Sequence, residues 1–348
     1  MGPRNSVSMR DVAVLAQVSV GTVSNVLNSP DRVADATRAR VQDAIAKLGW
    51  VPNESARQLR AGRSRSIGMV VMDIANPFFI DIARGAEAFL YGEQYTVQIG
   101  NSDKDAEREL AILERFEQQR IGGVLYAPID DTVERVSRLR QRGIPVVLVD
   151  RASGSADYCS VGVDDLAGGR IAGQHLLDTG HRRLAFVGGP SALAQVRDRR
   201  RGLELAVEQA GADVSLLAVT TPELTIEAGV SSAGELAALP AAERPTAVFA
   251  ASDLLAIGLL QGFVTAGLRV PDDVAIIGYD DIDFAAAAAV PLSSVRQPRE
   301  EIGRRSAELL LAEIDAAEGG PSHQHEAVRF TPQLVVRRST QLKRRRKG

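Results

Sequence analysis

The spacing of apolar residues along the chain changes near residue 67. Before that point, apolar positions recur three and four residues apart, which is the period of an α-helix with one buried face. After it, short continuous apolar runs alternate with longer amphipathic stretches, the pattern of buried strands joined by helices. The pattern therefore predicts a small helical unit followed by a larger α/β unit.

The helical unit contains three predicted helices. Ser8 and Asp11 form a capping-box pattern at the start of the first helix, and Ser19 is placed to cap the second. Asp35 is placed to cap the third, in which four apolar residues follow the i, i+3, i+4, i+7 spacing. Three short helices bury only a small core, so we expect this unit to be marginally stable alone. The four apolar residues are Val41, Ala44, Ile45 and Leu48.

The larger unit contains eight strand-like runs separated by helical stretches. We expect them to form two lobes, each a doubly wound parallel sheet, with a ligand cleft beyond the carboxyl ends of the strands. The strand-like runs are 67–73, 95–101, 121–127, 145–150, 184–188, 213–220, 246–251 and 274–280. The helical stretches include 78–92, 105–119, 164–180, 196–210 and 253–267. Asp73, Asn101, Asp150 and Asp280 fall at or near the ends of strands.

Composition narrows the class of protein. The 348 residues are 45% hydrophobic and 24% charged, which excludes a disordered chain. A single cysteine, Cys159, excludes a disulfide scaffold and any site built from several cysteines. No apolar run approaches the roughly 20 residues that span a bilayer, and the N-terminus has no apolar stretch of the secretory type. We therefore expect a cytoplasmic protein with no membrane partner.

The net charge of −3 conceals an uneven distribution. Residues 1–66 carry ten basic and five acidic side chains, a net of +5, and residues 337–348 carry seven basic side chains and no acid. The residues between them have a net charge of −15. An acidic body with basic ends favours binding of a polyanion through the ends. Solvation alone would equally account for the basic tail, 341–348.

The sequence offers no catalytic constellation. It lacks the phosphate-binding, dinucleotide-binding and nucleophile-elbow motifs that mark common enzymes. His323 and His325 are two residues apart but have no cysteine near them in sequence. Cys159 lies in an apolar run and is interpreted as a packing residue rather than a nucleophile. We therefore predict no catalytic residues, no cofactor and no metal site.

Residues 9–28 place two short helices around a tight turn at Gln17–Ser19, a helix-turn-helix arrangement. The second helix of such a motif enters the major groove of DNA. Val23, Val26 and Leu27 would face the core, and Asn25 could make a paired contact with adenine. As a general pattern, this arrangement fits a DNA-binding unit and a small structural bundle equally. The residues left facing outward are Val20, Gly21, Thr22, Ser24 and Asn25.

The residues at these positions resemble those of a known family. Residues 9–28 are similar to the DNA-binding motif of the LacI–GalR family of bacterial repressors, although Gln17 replaces the usual glycine of the turn. Residues 37–60 resemble the third helix and hinge helix of that family. Six further motifs follow in family order through the body. They are NPFF (76–79), VDR (149–151), GHRRLAFVGGP (180–190), R-x-x-G (199–202), VPDDVAIIGYDD (270–281) and LVVRRST (334–340).

The resemblance implies roles in DNA binding for individual residues. Val20, Gly21 and Asn25 would read bases, and Thr22 and Ser24 would hold phosphates. Leu59 would insert into the minor groove, where an apolar wedge unstacks a base step and bends the duplex. The full set implied for DNA binding is Ser19, Val20, Gly21, Thr22, Ser24, Asn25, Asn28, Asn53, Ala56, Arg57 and Leu59. Asn53 would cap the hinge helix, and Ala56 would meet its counterpart in a homodimer.

The resemblance also implies an effector site between the lobes. Asp150, Arg199 and Asp280 match the family's effector-binding positions, and such groups suit a polyhydroxylated or anionic ligand. Phe78 and Phe79 would lie at the mouth of the cleft, where either could stack on a ring. The full set is Phe78, Phe79, Asn101, Asp150, Arg151, Arg199, Ser252 and Asp280, with Asp103 and Gln297 as weaker candidates.

These inferences define the expected organisation. We expect a small all-α helix-turn-helix head (1–51), a hinge and linker (52–66), a two-lobed periplasmic-binding-protein-like α/β body (67–340) and the basic tail. Lobe 1 would comprise about 67–163 and 296–324, and lobe 2 about 164–292 and 325–340. The expected function is transcriptional regulation, with repression favoured, in the bacterial cytoplasm at the nucleoid. The expected partners are a pseudo-palindromic double-stranded operator, a small-molecule effector and a second copy of the chain. The alternatives are a periplasmic-type binding protein without DNA function and an enzyme on the same scaffold.

Overall fold

The computed structural model describes residues 7–51, 64–130, 133–151 and 157–341, with only the backbone of Asn28 and Val133. The predicted hinge residues Asn53, Ala56, Arg57 and Leu59 lie outside these ranges. The chain divides into two compact units, one ending at Ser64 and one beginning at Arg65. We call them the head and the body and describe each by itself.

Over residues 7–51, the head is a bundle of three helices, as the spacing predicts. Ser8 caps α1 through a capping box with Asp11, and Ser19 caps α2 by accepting a hydrogen bond from the Thr22 amide. The expected cap at Asp35 is wrong, because Asp35 is already the first helical residue and its carboxylate pairs with Arg38. The helices are α1 (Met9–Ala16), α2 (Val20–Asn28) and α3 (Asp35–Leu48), with a 3-10 turn at Pro30–Arg32.

The turn between α1 and α2 keeps the conformation that usually requires glycine. Gln17 has φ 54° and ψ 49°, which is the left-handed region. Its amide donates to the Val14 carbonyl over 3.2 Å, and the Val18 amide donates to Ala13 over 3.0 Å. These bonds close α1 and fix the direction in which α2 leaves. The glutamine therefore adopts a conformation that costs a side-chain residue about 1 kcal/mol.

The head core lies where the three helices meet. Val12 on α1, Val23 on α2 and Val41 on α3 are completely buried, and they share one apolar cluster with Trp50. The i, i+3, i+4 spacing of each helix supplies these contacts. Burial of a valine side chain contributes about 1.5–3 kcal/mol, so a core of this size is small.

The body contains two six-stranded sheets. In the first sheet the order is β11-β5-β4-β3-β1-β2, and every neighbouring pair is parallel. In the second the order is β12-β10-β9-β8-β6-β7, and only β12 runs antiparallel to its neighbour. The strands of the first sheet are β1 (Ser66–Val71), β2 (Thr96–Asn101), β3 (Gly123–Tyr126), β4 (Val146–Val149), β5 (Cys159–Val163) and β11 (Ala327–Phe330). Those of the second are β6 (Arg183–Val187), β7 (Ser215–Val219), β8 (Ala247–Ala250), β9 (Ala275–Asp280), β10 (Ser293–Arg296) and β12 (Gln333–Val335).

Helices cover these sheets and place the strand ends. They are α4 (Pro77–Gly92), α5 (Ala106–Gln118), α6 (Val133–Gln141), α7 (Asp165–Asp178), α8 (Ala194–Ala210), α9 (Ile226–Ala238), α10 (Asp253–Thr265), α11 (Asp283–Ala287) and α12 (Arg299–Ala317). The central strands are buried along their whole length, as continuous apolar runs predict. Helices α4 and α12 approach backbone to backbone at Gly85 and Gly303, where any Cβ would collide with a carbonyl oxygen of the other helix.

The predicted fold class, a helical head with a two-lobed parallel α/β body, is confirmed. One lobe assignment is wrong. Residues from 325 onward were placed in lobe 2, but β11 pairs with β5 in the first sheet. The chain crosses between sheets once more after β11, since β12 pairs with β10.

Over the described ranges, no helix is both long enough and apolar enough to span a membrane.

Candidate functional site

The outer face of α2 carries small side chains. Val23 and Val26 point into the head core, whereas Val20, Gly21 and Asn25 are exposed and Thr22 and Ser24 are half-buried. Ser19 is exposed beside them and caps the helix. The helix therefore presents a polar surface from which only short side chains project, with its N-terminal amides at one end. Such a surface can approach phosphates and base edges closely.

Gly21 is not required by the packing of the head. A Cβ at this position would lie 3.6 Å from Ser19 Oγ, an ordinary contact, and would meet no other side chain or loop among the described residues. Gly21 therefore does not make room for a neighbouring helix or loop of the head. Its lack of a side chain keeps this part of the α2 surface open. The side chain of Asn28 and the residues Asn53, Ala56, Arg57 and Leu59 lie outside the described part, so their predicted roles stay predictions.

Three predicted effector residues come together in the body. Asp150 follows β4 in the first sheet, Asp280 ends β9 in the second, and Arg199 lies on α8. All three are buried. Arg199 Nη1 lies 3.9 Å from Asp280 Oδ1, and the Arg199 charge acts on Asp150 as well. The cluster thus spans the carboxyl ends of both sheets, as the fold predicts.

Arg199 is the centre of this cluster. Its Nε donates to Asp165 Oδ1 over 2.8 Å, and its Nη1 donates to the Ala251 carbonyl over 2.8 Å. The guanidinium carbon lies 3.8 Å from the centre of the Tyr279 ring, a cation–π geometry. Although burial opposes its charge, the surrounding carboxylates, led by that of Asp165, keep the pKa of Arg199 above its usual value. The group is therefore a fixed cation held by its neighbours.

Burial sets the protonation of the two acidic residues. It raises the pKa of Asp150 to about 8, and the charges of Asp165 and Asp280 add to the rise. It raises the pKa of Asp280 to about 6, against the opposing effects of Arg199 and of the hydrogen bond from Gln297. Asp150 is consequently protonated in most molecules at pH 7, so it can both donate and accept a hydrogen bond.

Both acidic residues have unusual backbone conformations. Asp150 has φ 59° and Asp280 has φ 108°, in the region that side chains other than glycine rarely adopt. Such conformations cost about 1–3 kcal/mol each and occur often at binding sites. Asp150 directly follows β4, and Asp280 is the last residue of β9. Both conformations therefore occur where the chain leaves a sheet.

Several buried polar atoms in the described body have no hydrogen-bond partner among the described residues. They include Asp150 Oδ1, Thr221 Oγ1, Tyr279 Oη and Gln297 Oε1. Unpartnered buried polar groups are costly. Tyr279 lies against Arg199 and Gln297 donates to Asp280, so the free oxygens of these two residues indicate a site for a polar ligand. Gln297 was a weaker candidate in the sequence. Thr221 and Tyr279 were missed, although each lies next to a strand end.

The other predicted effector residues have structural partners. Phe78 and Phe79 begin α4, are buried, and pack edge to face with ring centres 5.1 Å apart. Asn101 Oδ1 accepts from the Ile74 amide over 3.1 Å and from the Asp103 amide over 3.3 Å. These contacts position the loops after β1 and β2, and the roles of the residues toward a ligand stay predictions.

Arg151 and Ser252 also support neighbouring segments. Arg151 Nη1 donates to the Asp130 carbonyl over 2.6 Å. Ser252 is buried and caps α10 by accepting from the Leu255 amide over 3.3 Å. Next to it, Asp253 Oδ1 accepts from Ser294 Oγ over 2.7 Å and burial raises its pKa well above the usual value. These contacts hold the segments that follow β4 and β8 in place.

Two polar contacts connect the lobes at the carboxyl edges. Gln195 Nε2, at the start of α8, donates to Asp150 Oδ2 over 3.1 Å. Lys104 Nζ lies 2.9 Å from Asp73 Oδ2 in its own lobe and 3.2 Å from Glu223 Oε2 in the other. Neither Gln195 nor Lys104 was predicted, because each acts only when two distant parts of the chain meet.

Cys159 lies beside His323 and His325, for which the sequence predicts no metal site. Its Sγ is 3.0 Å from His323 Nε2, although 164 residues separate them in sequence. Burial raises the pKa of the Cys159 thiol to about 12. The thiol is therefore a poor nucleophile at neutral pH.

Family models match both parts of the chain. Residues 8–53 match the model described as bacterial regulatory proteins of the lacI family. Residues 174–340 match the model of the periplasmic binding protein-like domain.

Similar proteins extend along nearly the whole chain. The ribose operon repressor of Escherichia coli K12 is 33% identical over 334 residues, covering 95% of this chain and 99% of the relative. The transcriptional repressor PurR of Photobacterium profundum is 31% identical over 333 residues, covering 95% and 98%. A solved structure of the lac repressor dimer bound to operator and an anti-inducer superimposes with a TM-score of 0.83 at 24% identity. That superposition covers 97% of this chain and 99% of that one.

Proposed function

Because the chain belongs to the LacI family of bacterial regulatory proteins, we propose that it is a transcriptional repressor whose DNA binding is controlled by a small molecule. The head binds a specific operator, and the body binds the effector between its two lobes. The observation that carries this proposal is the combination of an open, small-residue face on α2 with a buried Asp150–Arg199–Asp280 cluster. We assign the chain no catalytic role and place it in the bacterial cytoplasm, at the nucleoid.

The DNA-binding step uses the exposed face of α2. Asn25 is exposed on this face, and an asparagine amide can pair with both the N6 and N7 positions of adenine. Val20 and Gly21 add apolar and close contacts, and the Ser19 end of the helix faces phosphate. One head reads only a few base pairs, so two copies of the chain bind a pseudo-palindrome whose half-sites match the two-fold axis of the dimer.

The effector step uses the carboxyl edges of the two sheets. A polyhydroxylated ligand can pair with the unpartnered Asp150 and Gln297 oxygens and with the fixed Arg199 cation. Binding changes operator affinity only as far as the ligand binds one arrangement of the lobes better than the other. One relative is named the ribose operon repressor, so sugars come first in a search for the ligand.

The alternative of a periplasmic-type binding protein without DNA function is disfavoured. The body alone would fit that alternative, since residues 174–340 match the corresponding domain model. Residues 8–53, however, match the family's regulatory model and fold into the capped three-helix head. A binding protein that does not contact DNA has no use for this unit.

The DNA-binding proposal is tested by selecting genomic fragments with the full-length protein. We expect recovery of pseudo-palindromic sites bound with Kd of about 10⁻⁸ to 10⁻¹¹ M. Asn25→Ala should weaken binding by about 1–3 kcal/mol and relax selectivity at one base pair in each half-site. Recovery of no common sequence, or equal recovery by protein lacking residues 1–66, would show that the head does not read DNA.

The effector proposal is tested by thermal unfolding in the presence of candidate ligands. Sugars, sugar phosphates, nucleosides and purines are screened against the full-length protein. A ligand at 100 times its Kd stabilises the folded state by about 2.7 kcal/mol. The ligand found should then change the affinity of the selected operator, and one that stabilises the protein without changing that affinity is not the effector.

A further inference from the structure

A cluster of four potential metal ligands lies in the body. Cys159, Glu313, His323 and His325 each offer one ligand atom, and all four atoms lie within 4.8 Å of one another. Cys159 is the first residue of β5, Glu313 is on α12, and the histidines lie in the segment between α12 and β11. The cluster therefore brings together β5, α12 and the segment that leads into β11.

The cluster is separate from the effector site. It lies at the amino end of β5 and just before β11, whose first residue, Ala327, is in register with Ser160. The effector cluster lies beyond the carboxyl ends of the strands. Four residue steps of β5 at about 3.3 Å each put roughly 13 Å between the two edges of the sheet. No role proposed above for DNA or effector binding uses these four side chains.

We propose that Cys159, Glu313, His323 and His325 bind one Zn²⁺ ion. One thiolate, two imidazoles and one carboxylate form a ligand set that zinc prefers, and four protein ligands complete its tetrahedral shell. The thiolate and the carboxylate together balance the charge of the ion. Such a closed shell leaves no position for a substrate, so the site stabilises structure rather than performing chemistry.

The separations of the ligand atoms fit this shell. Zn–S near 2.3 Å and Zn–N near 2.0–2.1 Å require ligand atoms roughly 3.3–3.6 Å apart in a tetrahedron. Cys159 Sγ is 3.0 Å from His323 Nε2 and 4.0 Å from His325 Nδ1. Glu313 Oε1 is 2.6 Å from His325 Nδ1 and 3.9 Å from His323 Nε2. Two distances are shorter and two longer than required, so shifts of less than about 1 Å form the tetrahedron.

Two neighbouring groups contact the ligands: the Glu326 amide contacts the Cys159 sulfur, and the Arg140 guanidinium contacts the His325 ring. The Glu326 amide donates to Cys159 Sγ over 3.3 Å, and this bond favours the thiolate that a bound cation requires. Arg140 Nη2 lies 3.3 Å from His325 Nε2. When Nδ1 binds the metal, Nε2 carries the proton and repels the Arg140 donor. Among the described residues, Arg140 also donates to the Asp157 carbonyl, and metal binding would leave it this contact.

The ion would join α12 to the segment that leads into β11, the edge strand of the first sheet. Glu313 lies near the C-terminal end of α12, and the histidines follow where the chain returns to pair β11 with β5. Strand β11 is an edge strand that is partly exposed. Zinc binding therefore fixes a strand that has only one hydrogen-bonded neighbour.

Cobalt substitution tests the site directly. The full-length protein, with any affinity tag removed, is stripped of metal and titrated with Co²⁺ and then Zn²⁺. We expect one ion per chain, visible bands of tetrahedral cobalt with a thiolate charge-transfer band, and their loss when zinc displaces cobalt. Zinc should also raise the midpoint of thermal unfolding in a concentration-dependent manner. Octahedral cobalt, or no thiolate band, would overturn the proposal.

Single variants identify the ligands. His323→Asn, His325→Asn and Glu313→Gln should each weaken zinc binding by at least about 100-fold, since even outer contacts of a metal site are worth 10–100-fold. Cys159→Ser should remove the charge-transfer band. His175→Asn is the control, because His175 is similarly half-buried but bonds to Thr340 instead. Circular dichroism of each metal-free variant establishes that it is folded. Wild-type zinc affinity in both histidine variants would disprove the site.

Discussion

Gln195 Nε2 donates a hydrogen bond to Asp150 Oδ2 over 3.1 Å, and this contact joins the two lobes of the body. Asp150 directly follows the central strand β4 of the first sheet, whereas Gln195 lies in the first turn of α8 beside the second. The other carboxyl oxygen of Asp150 has no partner among the described residues. One side chain thus connects the lobes and offers an atom to a ligand, so its protonation affects both stability and binding.

The first prediction concerns the pH dependence of stability. Burial raises the pKa of Asp150 from 3.8 to about 8. Between these values the folded protein keeps a proton that the unfolded chain has released. The free energy of unfolding therefore falls as pH rises from about 4 to about 8, by at most about 1.4 kcal/mol per pH unit. Asp150→Asn should remove the part of this decline that Asp150 contributes, so that stability falls less steeply than in wild type, as measured by urea unfolding at pH 5, 6, 7 and 8; Asp280, whose pKa burial raises to about 6, still contributes its own part.

A second carboxylate provides the control for this measurement. Hydrogen bonds from the Arg269 side chain and backbone amide lower the pKa of Asp273 to about 2, so the stability that this group contributes is lost only as pH falls below about 4. Asp273→Asn should therefore differ from wild type by a constant amount between pH 5 and 8. If the curve of Asp150→Asn also stays parallel to wild type over that range, Asp150 is not protonated in the folded state.

The next prediction concerns the ion pair between the lobes. Lys104 Nζ lies 3.2 Å from Glu223 Oε2, and Glu223 is more than half exposed. Exposed pairs contribute about 0–1 kcal/mol, so Glu223→Gln should weaken effector binding by at most about fivefold. The difference should shrink as salt is added, because screening weakens the pair in wild type. Isothermal titration at low and high salt measures both effects.

An ion pair within one lobe separates closure from general electrostatics. Arg138 pairs with Glu114 over 3.3 Å, and both residues belong to the first lobe. Glu114→Gln removes a surface charge without affecting a contact between lobes. Equal weakening by Glu114→Gln and Glu223→Gln would mean that charge, rather than the bridge to Lys104, sets effector affinity.

The sequence predicted those features that depend on local pattern. Apolar runs that end in an acidic residue gave β4 with Asp150 and β9 with Asp280, and parallel pairing then brought the two ends to matching edges. The recognition helix was predicted from its cap at Ser19 and the inward spacing of Val23. Each of these inferences needs only a few neighbouring residues.

Features that depend on distant contacts were not predictable. Cys159 and His323 are 164 residues apart and meet only because β11 pairs with β5. Strand β11 itself has no continuous apolar run, since its residues alternate between exposed and half-buried. The assignment of residues 327–330 to the second lobe failed for that reason, whereas β12 does lie in the second sheet.

Another prediction tests the minor-groove role of Leu59, which rests on the family resemblance. An inserted leucine unstacks a base step, at a cost of a few kcal/mol that is offset only where the operator bends easily. Leu59→Ala should therefore weaken operator binding by at least about tenfold and leave nonspecific binding nearly unchanged. Val51→Ala removes an exposed apolar side chain of the head and is the control. Equal losses on operator and random DNA would exclude the wedge.

The last prediction uses Gly21, where stability and DNA affinity should change in opposite directions. A Cβ at this position would contact only Ser19 Oγ, at 3.6 Å, and alanine favours a helix over glycine by up to about 1 kcal/mol. Gly21→Ala should therefore leave the head as stable or more stable in thermal unfolding.

The same methyl group would stand on the exposed face of α2, between the helix and the base edges. We expect Gly21→Ala to weaken operator binding by about tenfold or more, which is about 1.4 kcal/mol, with nonspecific binding retained because phosphate contacts carry it. Val14→Ala is the matched control, since Val14 on α1 is 73% exposed and lies outside the recognition helix. If Gly21→Ala binds the operator like wild type, α2 does not approach the bases closely at this position.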